Sequence, residues 1–212
     1  MNYILTNNKK IINHYKLLRK KYKKPQEQWF LWSKNSKTLK EKEEIIIGSI
    51  LTQQTSWKNV EIAISQLKNA GINSIASIYD LSKKDKAKLS KLIKPSGFYN
   101  QKTEYLINIC SFIIKKYKTL KKMSDIPFLQ LREELLNIKG IGKETADSIL
   151  LYAIEKPIFV IDEYTKRFVK KHKIADEYSY EYLRKLFETN LPKNHKLYQD
   201  FHALIVIDGK KS

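Results

Sequence analysis

The stretch Leu135-Leu136-Asn137-Ile138-Lys139-Gly140-Ile141-Gly142-Lys143-Glu144-Thr145-Ala146 reads as helix, tight turn, helix, with a glycine on each side of one apolar residue. Glycines leave a turn backbone that no Cβ obstructs, and the amides opening the following helix have no helical partner. Two readings follow. In one, this is an ordinary tight connection, with Ile138 and Ile141 tucked between the helices. In the other, a nucleic-acid phosphate comes close to the glycines and is held by those amides, with Lys139 and Lys143 adding charge. Such contacts give affinity without reading base sequence.

Outward from this turn, the second helix is expected to run from Lys143 to about Ile154, where Pro157 forces a break. Asp162 follows the apolar run Ile158 to Ile161, at the N-cap position of a helix starting at Glu163. Toward the N-terminus, helical spacing dominates. Ile4, Ile11, Ile12, Tyr15, Leu18 and Tyr22 form one stripe over residues 3–22, and apolar helices are expected over 43–51 and 56–70. Shorter helices near 74–80 and 83–93 follow, the latter opened by Ser82 with Asp85 three residues on. A turn at Lys94-Pro95-Ser96-Gly97 leads into a helix over 101–118, and another opens at Ser124 or Asp125 with Pro127 in its first turn. Helices near 178–190 and 194–207 close the chain. No two-residue alternation is long enough for a sheet, so the fold class is all-α.

The chain has 212 residues, enough for one large or two small packed units. One cysteine, Cys110, excludes an internal disulfide and a multi-cysteine metal site. The longest apolar runs fall far short of the roughly 18 residues of a membrane span, and the first twenty residues lack a signal-peptide core. These features point to a cytoplasmic protein. Lysine and arginine number 41 against 22 acids, a formal charge of +19. That excess calls for an anionic partner, nucleic acid first. Lysine abundance beside many Ile, Asn and Tyr, with only four arginines (Arg19, Arg132, Arg167 and Arg184), is also what A+T-rich coding produces.

Leu135 to Ala146, the helix to Ile154, and then Pro157-Ile158-Phe159-Val160-Ile161-Asp162 together resemble the helix–hairpin–helix motif, Gly/Pro-rich loop and aspartate of the DNA glycosylase superfamily that includes endonuclease III. The segments Ile50-Leu51-Thr52-Gln53-Gln54-Thr55-Ser56-Trp57 and Lys94-Pro95-Ser96-Gly97-Phe98-Tyr99-Asn100-Gln101-Lys102 agree, and the closest likeness is to the 3-methyladenine DNA glycosylase III branch. It covers residues 29–171 well and the ends loosely. The resemblance implies a two-lobed fold with a cleft that takes DNA. A central bundle over 41–157 would carry the hairpin, and residues 1–40 with 158–212 would form the second lobe. It also implies a monomer acting on double-stranded DNA with a damaged base, in the cytoplasm with the nucleoid.

By that resemblance Asp162 is the catalytic carboxylate. Its charge would stabilise the oxocarbenium-like sugar formed as the base leaves. Relatives that also nick the strand carry a lysine at position 144, which attacks the sugar as an amine. Here it is Glu144, which implies a monofunctional glycosylase, with Glu144 orienting sugar, water or base. Lys143 lies about 100° around the helix and is read as a phosphate contact. Trp57, then Trp29 and Trp32, are candidates to stack on a flipped-out cationic purine. Gln53 or Gln54 would fill the gap left in the duplex, and Lys102 would reach a phosphate. Lys139, Gly140, Ile141, Gly142 and Thr145 complete the expected DNA contacts. The four cysteines that hold an iron–sulfur cluster in many relatives are missing, so no cofactor is expected. His14, His172 and His195 lack metal-ligand spacing, and His202 is either a packed helix residue or part of the site. Two other classes stay open: a bifunctional glycosylase and abasic-site lyase, and a non-catalytic hairpin module that binds DNA.

Overall fold

The computed structural model describes residues 2–25 and 28–211, with side chains over 10–25 and 28–211; Ile4 of the first stripe lies outside those side chains. Among the described residues the chain is helical, with no strand. The helices are α1 (Asn2–Tyr22), α2 (Gln28–Trp32), α3 (Leu39–Leu51), α4 (Trp57–Asn69), α5 (Ile75–Lys84), α6 (Lys86–Leu92), α7 (Tyr99–Phe112), α8 (Leu120–Ser124), α9 (Phe128–Leu136), α10 (Lys143–Ser148), α11 (Glu163–Lys171), α12 (Tyr180–Asn190) and α13 (His195–Lys211). Both α7 and α10 run on into π-helical turns, Ile113–Tyr117 and Ile149–Ala153. No helix among the described residues is long and apolar enough to cross a membrane. The chain divides into two compact units: a hairpin unit, residues 36–149, and a terminal unit, residues 1–35 with 150–212.

The hairpin unit is built around α3, whose last seven residues, Ile45 to Leu51, are all buried. A helix apolar on every side belongs at the centre of a bundle. It starts at Leu39 and not near Glu43, because Thr38 and Glu41 form a capping box: Thr38 Oγ1 accepts from Glu41 N (3.3 Å) and Glu41 Oε2 from Thr38 N (2.7 Å). Ser82 does not open the next helix as expected. Its hydroxyl donates to the Tyr79 carbonyl, and Asp85 is the N-cap of α6, accepting from Lys88 N at 2.9 Å. Pro127 stands at the N-cap of α9, one position ahead of the expected first turn. Arg132 on α9 grips the fully buried Asp147 on α10 with two bonds (Nε–Oδ1 2.6 Å, NH2–Oδ2 3.0 Å), tying together the helices flanking the turn.

The terminal unit has an aromatic core. Phe159 stacks on Phe187 (centroids 4.3 Å apart), and Tyr198 and Phe201 meet it edge-on. Polar anchors tie α1 to α13. Tyr15 and Arg19 reach Asp200, and Lys21 and Tyr22 reach Asp208. Ile158 to Ile161 are buried, and Glu188 accepts from the Phe159 amide at 2.9 Å. The segment after Pro157 is thus fixed on both sides, and with it the residue that follows, Asp162.

Candidate active site

In the hairpin unit, the turn after α9 has Gly140 at φ 98°, a left-handed conformation that excludes most side chains. A Cβ there would come within 2.1 Å of the Tyr105 ring, whereas one on Gly142 would meet nothing within 4 Å. Gly140 therefore closes the turn onto α7, and Gly142 keeps its outer side open. The first hydrogen bond of α10 runs from Ala146 N to Gly142 O (2.9 Å), so the amides just ahead of it lie outside the helical ladder. Ile141 is 4% exposed and its amide donates to Ile138 O, so it anchors the turn. Lys139, Lys143 and Glu144 are exposed, and the Lys139 carbonyl accepts from Asn108 Nδ2 at 3.0 Å.

An open groove of about 660 Å³ adjoins the turn, lined by Gln53, Gln54, Phe98, Lys102, Tyr105 and residues 136–142, 144 and 145. The two glutamines have different tasks. Gln53 Nε2 donates to Gly140 O (3.0 Å) and Thr145 Oγ1 (3.1 Å), so Gln53 and the buried Thr145 brace the hairpin. Gln54 is exposed, on a left-handed backbone (φ 50°). Phe98, directly after the Gly97 turn, is 61% exposed at φ 44° on the same groove.

Lys102 is corrected. It is 2% exposed, with Nζ donating to Leu51 O (2.8 Å) and Ser96 O (2.6 Å). The ammonium satisfies a carbonyl at the C-terminus of α3, where the ladder leaves acceptors without partners, so it does not reach outward to a phosphate. Burial pushes its pKa down to about 8 from 10.5. Between those values the unfolded chain binds more protons than the folded one, so folding stability rises with pH there. Denaturant melts should show wild type gaining on Lys102→Met from pH 8 to 10.5, with a slope approaching about 1.4 kcal/mol per pH unit. A difference that does not change with pH would contradict this placement.

In the terminal unit, Asp162 caps α11: its Oδ1 accepts from Thr165 N at 2.7 Å. The side chain is 13% exposed, and Oδ2 lies 3.5 Å from His202 Nε2. Burial opposes ionisation, but the nearby His202 and the Thr165 donor outweigh it and hold the carboxyl below its usual range. Trp29 and Trp32 are buried, at 3% and 4% exposure, packed on each other and on Tyr152. They are core indoles here, with edge-on and tilted ring contacts. Trp57, half-buried at the start of α4, keeps its candidacy.

Residues 47–193 match the family model described as HhH-GPD superfamily base excision DNA repair protein. The chain belongs to the HhH-GPD superfamily. A candidate DNA repair glycosylase of Methanocaldococcus jannaschii is 46% identical over 171 residues, covering 79% of this chain and 76% of that protein. Endonuclease III of Thermotoga maritima is 30% identical over 123 residues, covering 58% and 53%. Among solved structures, the H. pylori 3-methyladenine DNA glycosylase bound to 1,N6-ethenoadenine matches 97% of each chain, with TM-score 0.78 and 30% identity. This HhH-GPD chain is thus a DNA glycosylase of base excision repair. The iron–sulfur cluster of many superfamily members does not fit its residues. Cys110, its one cysteine, is fully buried on α7, and no three His, Cys, Asp or Glu among the described residues converge as metal ligands.

Proposed function

We propose that this glycosylase is monofunctional and releases alkylated purines of the 3-methyladenine type from double-stranded DNA by hydrolysis of the N-glycosidic bond. The observation that carries the reading is Asp162, a nearly buried carboxylate held in its ionised form. An anion fixed beside the anomeric carbon favours a sugar that becomes positive, and it can orient the attacking water. It is not a proton donor at neutral pH. A substrate that needs no proton suits it, and a 3- or 7-alkylated purine, already cationic, is such a leaving group. The full-length similarity to a 3-methyladenine glycosylase at 30% identity supports the same class.

Glu144 supports the monofunctional half of the proposal, since a carboxylate cannot form the Schiff base through which lyases cleave the strand. The exposed Lys139 and Lys143, with the open outer side of Gly142, suit a phosphate of the backbone. Exposed Gln54 and Phe98, both lining the open groove, would enter the duplex, and Trp57 would stack on the extruded base.

A release assay on duplexes carrying 3-methyladenine, 7-methylguanine, hypoxanthine and mismatched bases, run with and without borohydride, tests the proposal. Free methylated purine with an intact abasic strand is expected, and no covalent adduct. An adduct would make the protein a lyase. Release of only the neutral lesions would overturn the substrate class.

A further inference from the structure

Tyr152, His202 and Asp162 form a buried chain inside the terminal unit, and Asp162 alone has a place in the reaction described above. Tyr152, with no exposed surface, has its hydroxyl 2.7 Å from His202 Nδ1 and 3.3 Å from the Gln199 carbonyl. On the other side of the ring, His202 Nε2 is a buried nitrogen with no hydrogen-bond partner among the described residues, 3.5 Å from Asp162 Oδ2. The imidazole is clamped edge-on by Trp29 (centroids 5.7 Å) and Phe159 (6.4 Å), so it has little room to turn away. We infer that His202, set by Tyr152, is the positioning residue of the glycosylase reaction: its Nε2–H holds Asp162 ionised and aimed. This rests on the reading of Asp162 as the reacting carboxylate.

The direction of the proton follows from the partners. Burial and the charges of Asp162 and Asp200 push the Tyr152 hydroxyl well above its usual range, so it keeps its hydrogen. If Tyr152 donates to Nδ1, the ring's own proton is on Nε2. That arrangement presents N–H to Asp162. The 3.5 Å separation is long for such a bond, and catalytic hydrogen bonds are often long before substrate arrives and tighten in the complex.

Other charges do not take over this role. On α11, Asp162 meets the Thr165 amide, while Glu163 pairs outward with Lys166. From α1, Arg19 and Lys21 are bound to Asp200 and Asp208. Tyr152 is the remaining titratable neighbour of the ring. His202 is therefore the first of two side chains that offset the desolvation of the carboxylate, the Thr165 hydroxyl being the other beside the Thr165 backbone cap.

Titrating the ¹³Cγ resonance of Asp162, assigned by its loss in Asp162→Asn, tests this without substrate. In His202→Leu the midpoint should rise by about one pH unit or more relative to wild type. His202→Gln, whose amide can still donate, should fall between, and Tyr152→Phe should move it less. The acid limb of single-turnover purine release from methylated duplex DNA should shift with the same order of variants. An unmoved Asp162 midpoint in His202→Leu or His202→Gln would overturn the inference, as would a fall. If instead Asp162→Asn released purines at the wild-type rate, the catalytic reading would fail whatever the titration showed. His202→Gln and Tyr152→Phe keep the titration decisive should His202→Leu not fold.

Discussion

Asp162→Asn is expected to fold and to release methylated purines at least about a hundred-fold more slowly than wild type under single-turnover conditions. Asparagine is as good an N-cap as aspartate, and its carbonyl oxygen can keep the 2.7 Å bond from Thr165 N that opens α11. The shape of the site is retained and the charge is not. A neutral amide gives little to a sugar whose positive charge grows as the base leaves, and that growing charge is where an anion in a poorly solvated site has its largest effect. DNA affinity should hardly change, because no phosphate contact is altered, so the loss belongs to the chemical step. Stability should respond with a definite sign. The carboxyl ionises more readily in the folded protein than in the unfolded chain. Its contribution is therefore present above the unfolded value of 3.8 and is lost as pH falls through the lower folded value. Melts of the two proteins should differ near neutrality and converge in strong acid. Equal release rates, with DNA binding and melting as described, would remove Asp162 from the chemistry.

The features legible in the sequence are those decided by neighbours in the chain. Asp162 as a cap before Glu163, the turn around Gly140, and the apolar run into Leu51 depend on residues within one or two turns, and periodicity or capping rules reach that far. What stayed hidden depends on distant partners. Lys102 looks like an exposed lysine after a glycine turn, yet its ammonium meets the carbonyl of Leu51, 51 positions away. Gln53 and Gln54 are the same residue type side by side, and only the hairpin, 87 to 92 positions further on, separates the brace from the exposed side chain. Trp29 and Trp32 have the chemistry of a base-stacking wall, but Tyr152 fills the space against them. The same long-range logic joins His202 to Tyr152 across 50 residues. A single-residue motif cannot carry information about a face that tertiary packing chooses.

Gly140 and Gly142 flank one isoleucine, yet their alanine variants should fail in different ways. Gly140→Ala places a methyl group on a backbone at φ 98°, which costs an L-residue about 1–3 kcal/mol. It also drives that methyl into the Tyr105 ring, 2.1 Å from the nearest carbon, and overpacking of this kind adds about 1–3 kcal/mol. The expected loss of stability is therefore about 2–6 kcal/mol, a large fraction of the about 5–15 kcal/mol of an ordinary domain. Gly142→Ala has an ordinary backbone (φ −85°, ψ 177°) and open space around the new carbon, so denaturant melts should shift by no more than about 1 kcal/mol. Its effect should fall on DNA: the methyl stands on the outer side of the turn, where a phosphate must come close to the backbone, and duplex affinity should drop several-fold. Adding Tyr105→Ala to Gly140→Ala separates the two costs of that variant. The ring's removal should recover the steric part and leave the dihedral part, so the double variant should be more stable than the sum of the single losses allows. If Gly142→Ala bound duplex as wild type does, the hairpin would be a structural connection and the phosphate would have to be held elsewhere.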